Sequence, residues 1–218
     1  MEEKFNLIIL GPQGSGKGTQ ARLIAQKFDM IDLDTGQIAR GASIESTPLG
    51  KKIKECLKKG QLLPQEIIKE LLYKKVSEIK NNGIIFDGFP RDFRQVDTLE
   101  SFVKEFKLNY PYLIHLKVTE KTTISRISSR RICPKCKNVY YPKSSGYDEG
   151  ICLKCNETLI TRDDDQPNIL KERLKIYHQE TEKIIDYFKN KNHLIEINGE
   201  PDVPEVFKEI LAKIKSLN

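Results

Sequence analysis

A chain of 218 residues, 38% hydrophobic and 31% charged, has the apolar content of one α/β-sized core with room for insertions, and no run in it is long enough to cross a bilayer. Its 37 basic residues exceed the 31 acidic ones by six, but they are spread along the sequence, which reads as a solvated surface biased towards anionic ligands rather than as a nucleic-acid face. Nine of the basic residues are arginine, so each arginine asks for a reason. The planar guanidinium grips phosphate through two parallel hydrogen bonds, which a flexible ammonium does less well. Six of the nine, Arg40, Arg91, Arg126, Arg130, Arg162 and Arg173, fall in the motifs below.

Met1-Glu2-Glu3-Lys4 is short and acidic with no signal-peptide pattern, and a cytoplasmic location is the expectation. Leu7-Ile8-Ile9-Leu10 then reads as a buried strand that breaks into Gly11-Pro12-Gln13-Gly14-Ser15-Gly16-Lys17-Gly18-Thr19 and a helix beginning at Gln20. Such a loop turns backbone N–H groups inward on an anion, the helix start adds partial positive charge, and Lys17 reaches the β/γ oxygens of a nucleotide. The residue after the lysine is Gly18, with Thr19 one later, where the general phosphate-loop pattern has Ser or Thr to hold Mg²⁺. That departure counts against a GTPase switch or a motor-type ATPase.

Met30-Ile31-Asp32-Leu33 is a weak second strand leading to Asp34-Thr35-Gly36-Gln37-Ile38-Ala39-Arg40. Helical segments over about 47–59 and 65–80 follow, divided at Gly60-Gln61-Leu62-Leu63-Pro64, where glycine closes one helix and proline opens the next. A crossover this long exceeds what a βαβ unit needs, so part of it should stand out as a small binding lobe. Gly83-Ile84-Ile85-Phe86 is a buried strand ending in Asp87-Gly88-Phe89-Pro90-Arg91. Ligands of open α/β sheets collect at carboxyl ends of strands, which puts Asp87 and Arg91 beside the phosphate loop. A strand at Tyr112–Val118, a helix from Thr119 to Arg131, a long helix from Pro167 to Asn190, a strand at Leu194–Ile197 and a helix from Val203 to Leu217 complete the pattern. Within the fourth strand His115 reads as structural, since nothing near it in sequence pairs with it. Five short strands alternating with helices predict a parallel, doubly wound sheet.

Cys133-Pro134-Lys135-Cys136 and Cys152-Leu153-Lys154-Cys155 are two knuckles of equal spacing, the pattern of a four-sulfur zinc ribbon. Four thiolates fill a tetrahedral shell and leave no place for water, so the metal would be structural. Two disulfides, iron in place of zinc, and a ribbon that contacts nucleic acid or protein are the alternatives. Position favours a lid: Arg126, Arg130 and Arg131 precede the ribbon and Arg162-Asp163-Asp164-Asp165 follow it. An insert of this size buries too little to hold its own shape, and a metal cross-link compensates. Cys56 reads as a plain thiol on a helix.

The order Gly14-Ser15-Gly16-Lys17-Gly18-Thr19, Thr35-Gly36 with Arg40, Asp87-Gly88-Phe89-Pro90-Arg91 with Gln95, Arg126 and Arg130, the four cysteines, Arg162 with Asp164-Asp165, and Arg173 resembles the long-lid, zinc-bearing adenylate kinases of the nucleoside monophosphate kinase family. The resemblance implies reversible phosphoryl transfer, ATP + AMP = 2 ADP, for adenine nucleotide homeostasis, by a cytoplasmic monomer with nucleotides as its partners and with neither nucleic acid nor membrane. It implies a P-loop, doubly wound five-stranded parallel sheet with a core at 1–33, 64–128 and 166–218, an AMP-binding helical lobe at 34–63 and a zinc-ribbon lid at 129–165. Cofactors would be Mg²⁺ with ATP, water-bridged to Asp87, and structural Zn²⁺ on Cys133, Cys136, Cys152 and Cys155. ATP would meet Gly14 to Thr19, Arg126, Arg130, Val139, Tyr140 and the backbone at Pro201. AMP would meet Thr35, Arg40, Gln61, Leu62, Leu63, Gly88, Phe89, Pro90, Arg91, Gln95, Arg162 and Arg173. Lys17, Arg91, Arg130, Arg162 and Arg173 would carry the catalysis. Asp34, Gln37, Gln65 and Tyr141 depart from the family pattern, and the loop between the cysteine pairs lacks its Asn-Pro-Pro turn. A UMP/CMP kinase, or a nucleotide-binding regulator that contacts RNA or protein through the ribbon, is the competing reading.

Overall fold

Strand β1 (Leu7–Leu10) and strand β3 (Ile84–Asp87) are buried at every position, the pattern of strands covered on both faces. The computed structural model describes residues 5–79, 82–141 and 150–216. Its central sheet has five parallel strands in the order β2-β3-β1-β4-β7, with β2 at Ile31–Asp34, β4 at Tyr112–Lys117 and β7 at Leu194–Asn198. The doubly wound reading of the sequence holds.

Alternate residues of the strands feed two apolar layers. Ile8, Leu10, Leu33, Ile84, Phe86 and Leu113 pack with helices α4 (Gln65–Ser77), α5 (Phe93–Glu105) and α8 (Glu182–Asn190). Leu7, Ile9, Ile85, Ile114, Leu116 and Ile197 pack with α1 (Lys17–Phe28) and α9 (Val203–Lys215). Between β2 and β3 stand α2 (Thr35–Ala42) and α3 (Pro48–Lys58) as well as α4. After α6 (Glu120–Ser129) come two-residue strands β5 (Arg131–Ile132) and β6 (Val139–Tyr140), paired antiparallel, then a 3₁₀ turn at Asp163–Asp165 and α7 (Pro167–Ile176). Among the described residues no helix is long and apolar enough to cross a membrane.

Several boundaries differ from the sequence expectation. Two helices, α2 and α5, go unread in the sequence. Both start at an aspartate N-cap, Asp34 accepting from the Gln37 N–H at 2.8 Å and Asp92 from the Gln95 N–H at 2.9 Å. In α2, Gly36 and Gly41 dilute an already short apolar pattern. Helix α6 ends at Ser129 rather than Arg131, because Arg130 turns to extended geometry and Arg131 pairs with Tyr140 in the ribbon. The long helix to Asn190 is continuous but holds one π turn, Tyr177–Thr181. Residues 1–4, the expected end of α4 at residue 80, much of the loop between the cysteine pairs, and the expected end of α9 at Leu217 lie outside the described residues.

Candidate active site

The loop after β1 closes on itself tightly. A Cβ at Gly11 would lie 2.6 Å from Ser15 Oγ and 2.7 Å from the Leu116 carbonyl, so only glycine fits there. Gly16 caps α1 at φ 92°, a left-handed conformation that points successive N–H groups into one concavity. Lys17 Nζ donates to the carbonyls of Gly11 and Pro12, each at 3.2 Å. Burial pushes the Lys17 ammonium down to about 7; Asp87 opposes this, while Arg91, Arg173 and Arg130 add to it.

Asp34 and Asp87 are register partners at the carboxyl ends of β2 and β3. Asp87 is 5% exposed, and burial followed by the charge of Asp34 pushes its carboxyl up to about 7 against the pull of Lys17. A Cβ at Gly18 would stand 3.1 Å from Asp87 Oδ2. The glycine that breaks the usual loop pattern therefore keeps room beside this carboxylate, and a space lined by Asp87, Asp34 and Thr19 fits a hard cation carried in by a nucleotide.

Thr35 Oγ donates to the carbonyls of Asp87 at 2.8 Å and Gly88 at 3.1 Å, which fixes the start of α2 against the end of β3. Arg91 is held three ways: Nε donates to the Gly88 carbonyl at 2.6 Å, the backbone N–H donates to Gln95 Oε1 at 2.9 Å, and the carbonyl accepts from Thr181 Oγ1 at 3.1 Å. Gln95 is buried, and Leu63, Phe89 and Pro90 lie in the core behind the cleft rather than on its wall.

Six arginines converge from as many places in the fold: Arg22 on α1, Arg40 on α2, Arg91 after β3, Arg130 at the end of α6, Arg162 before the 3₁₀ turn and Arg173 on α7. Lys17, Gly36, Arg40, Arg91 and Arg173 line two adjoining voids of about 690 and 710 Å³, which form one cleft with two ends. One end is walled by Leu57, Gln61, Leu62, Gly88, Tyr177 and Thr181. The other is walled by the loop from Gly14 to Thr19 with Arg22, Arg130, Val139, Tyr141 and Arg162. Asp165, 8% exposed, takes Arg130 through both Nε and a terminal nitrogen, and Asp164 takes Arg173 at 2.9 Å with Arg40 at 3.8 Å. Burial and neighbouring guanidiniums push Arg162 and Arg173 down to about 10. Burial works to raise Asp164, but Arg173, Arg40, Arg162 and Arg130 hold it below the ordinary carboxylate range. Among the described residues, Arg162 Nε is buried without a hydrogen-bond partner. Asp164 and Asp165 offset part of this desolvated positive charge, and a phosphate between the guanidiniums would offset more.

Arg126 packs on the rim of the loop end. It donates to the carbonyls of Gly199 and Glu200 at 2.9 Å and reaches those of Gly14 and Pro201 at 3.5 Å, so Arg126 and Pro201 meet. Side chains alternate along β6, and the consequence falls on Tyr140. Val139 and Tyr141 line the cleft, whereas the Tyr140 hydroxyl lies 3.2 Å from Cys152 Sγ in the cysteine cluster.

The four cysteine sulfurs lie within 4.8 Å of one another, with neighbouring pairs at 3.2, 3.4 and 3.5 Å. These are free thiols, too far apart for disulfides and close to the roughly 3.8 Å edge of a tetrahedron with 2.3 Å metal–sulfur bonds. Each knuckle closes the same way: Lys137 and Asn156 take left-handed geometry, and their N–H groups return to the carbonyls of Cys133 and Cys152. The donor set suits zinc.

The family model described as adenylate kinase matches residues 9–193. The chain belongs to the adenylate kinase family. It is 38% identical over 212 residues to the adenylate kinase of Oceanobacillus iheyensis, covering 94% of this chain and 97% of that one. It is 38% identical over 221 residues to that of Archaeoglobus fulgidus (97% and 100%) and 36% identical over 219 residues to that of Petrotoga mobilis (98% and 99%).

Beside the adenylate kinase motifs, the cleft holds residues the sequence reading passed over. Arg22 stands four residues after Gly18 on α1 and so shares its face; the scarcity of arginine was the available signal. Asp34 lines the loop end, a placement hidden by its capping role. Tyr177 and Thr181 lie far along the chain in an irregular turn, where no local pattern marks them.

Proposed function

We propose that this chain transfers the γ-phosphoryl of Mg-ATP reversibly to AMP, giving two ADP. The single observation that carries the reading is the two-ended cleft in which Lys17 and six arginines converge. A kinase for two highly charged substrates needs them brought together, water excluded and the charge of the transferring group compensated. An AMP phosphate is already an anionic nucleophile at neutral pH, so the transfer requires no general base.

In this reading the loop from Gly14 to Thr19 holds the ATP phosphates by backbone N–H groups, and Lys17 leaves its resting carbonyls to follow the transferred phosphoryl. Arg126 lies against the ATP base, with the backbone at Pro201 and Val139 as further contacts, while Tyr140, turned to the cysteines, contributes at most its backbone and Tyr141 takes the cleft-facing place. Thr35, Arg40, Gln61, Leu62 and the Gly88–Arg91 turn form the acceptor site, backed by the buried Leu63, Phe89, Pro90 and Gln95. Arg91, Arg130, Arg162 and Arg173 compensate the spreading charge. Mg²⁺ carried in with ATP would supply charge neutralisation at the phosphates, and Asp87 would hold it through water. Cys133, Cys136, Cys152 and Cys155 hold a structural Zn²⁺. The segments 1–33, 64–128 and 166–218 act as the core, 34–63 as the AMP lobe and 129–165 as a lid that excludes water. A four-thiolate metal site would also suit a reducing, cytoplasmic setting.

The test is ADP formation from Mg-ATP with AMP, run beside UMP, CMP and no acceptor. Turnover with AMP that falls on the order of 10²–10³-fold in Lys17→Ala and in Arg91→Ala is the expected result. Preference for UMP or CMP would overturn the acceptor, and nucleotide binding without transfer would overturn the activity.

A further inference from the structure

The helix that follows the cysteine-bearing insertion carries one irregular turn. At Tyr177–Thr181 the backbone opens so that the N–H of Glu182 bonds back to the Tyr177 carbonyl, five residues earlier. In an unbroken α-helix Thr181, eight residues after Arg173, would stand about 80° round from it. The extra residue in the turn swings Thr181 back towards the face that Arg173 and Tyr177 share. All three then look into the acceptor end of the cleft, opposite Gly88 and Arg91, and Tyr177 and Thr181 are 7% and 3% exposed.

Both ends of the turn are tied across to the sheet. Thr181 Oγ1 donates to the Arg91 carbonyl at 3.1 Å, and the Tyr177 hydroxyl lies 2.9 Å from His115 Nε2 on β4. His115 thus finds its partner 62 residues away in sequence. Tyr177 also separates the cleft from a second cavity of about 500 Å³ lined by Pro12, His115, Thr123 and Leu174. Single turns of this kind are rare and recur at functional sites.

We infer that this turn is a spacer that sets the separation of Arg91 and Arg173 around the acceptor phosphate, with Thr181 and Tyr177 as positioning residues specific to the acceptor. The inference rests on the phosphoryl-transfer reading. Thr181 anchors Arg91 at its backbone, where Gln95 holds the other side of the same residue. The loop that would hold ATP lies at the other end of the cleft. A loosened turn should therefore weaken the acceptor and spare the donor.

The wild-type chain is assayed first with Mg-ATP and AMP; absence of transfer overturns the parent reading and leaves a different result from the one sought next. Given transfer, Thr181→Val should raise KM for AMP on the order of fivefold, the effect of one lost hydrogen bond, with KM for ATP within about twofold and the thermal midpoint little changed. Thr181→Ser, which restores the donor, should restore KM. Tyr177→Phe should shift KM for AMP in the same direction and decides the matter if the valine variant does not fold. An unchanged KM for AMP in the folded variants, equal rises for AMP and ATP, or a serine variant that behaves like valine would overturn the inference.

Discussion

The sheet and the cysteine-bearing insertion hold their shapes by different means. Around the sheet, β1, β3 and their neighbours bury two broad apolar layers. Among the described residues of the insertion the buried cluster is Cys133, Cys152 and Leu159, with Cys136, Cys155 and Tyr140 partly buried against it. At about 25 cal/mol per Å² of apolar surface, so small a cluster cannot offset the ordering of thirty residues. The core has apolar layers of its own, whereas the insertion has a four-sulfur cluster whose donor set suits a metal cross-link. The insertion stands over the loop end of the cleft, where Val139 and Tyr141 reach in. A segment that needs no share of the main core can change position without disturbing it.

The sharpest way to break this comparison is to remove the metal. Chelation, or Cys152→Ser, should let the insertion melt at a lower temperature, with the helices and sheet in place and the insertion still folded in the cold. With a shift of roughly 2–4 °C per kcal/mol for a chain of this size, the first thermal transition should fall on the order of 10 °C. Turnover at low temperature should fall much less. Calorimetry beside activity on titrated, folded protein is the check; equal loss of both would mean that the cluster serves the chemistry directly.

The junction between the two regions is ionic, and a smaller effect is expected there. Arg130 and Asp165, on the two stems of the insertion, form a pair with side chains 11% and 1% exposed. Asp165→Asn leaves Arg130 buried without its counter-charge and should cost about 2–4 kcal/mol in denaturant unfolding. Replacing both residues by leucine should recover much of that stability, because the lone charge is gone, but not the turnover. Recovery of turnover as well would remove Arg130 from the proposed catalytic group.

The reading of the sequence reached furthest where local chemistry dictates structure. The strand-glycine-lysine order of Leu7 to Thr19, the buried run before Asp87 and the paired cysteine knuckles each carry their geometry in adjacent residues. What escaped depends on distance or on context. His115 looked partnerless because Tyr177 reaches it only through the tertiary fold. Helix α5 hid behind Asp92, Arg94 and Asp97, although Val96, Leu99 and Phe102 stand at helical spacing beneath them. In β6 the strand is two residues long, so which of Val139, Tyr140 and Tyr141 faces the cleft was fixed by pairing with β5 and not by pattern. The π turn leaves no mark in composition.

Acidic residues make the last contrast between the regions. At the stems of the insertion each buried carboxylate has its arginine, whereas at the carboxyl edge of β2 the carboxylates crowd one another. Asp32 Oδ1 is buried without a hydrogen-bond partner among the described residues, and burial followed by the charge of Asp34 pushes the group up to about 6 against the pull of Arg22. An unfolded aspartate releases its proton near pH 4. Between pH 4 and 6 the native state therefore holds the extra proton, and stability falls as pH rises through that window before levelling above it. Asp32→Asn removes this dependence, so the variant should gain on the order of 1–2 kcal/mol over the parent at pH 7 and little at pH 4, the full value being reduced because the group is partly exposed. Urea unfolding of nucleotide-free protein from pH 4.5 to 8 measures it. Parallel curves for parent and variant would mean that solvent reaches Asp32, and that the strain at this edge lies with Asp34 and Asp87 alone.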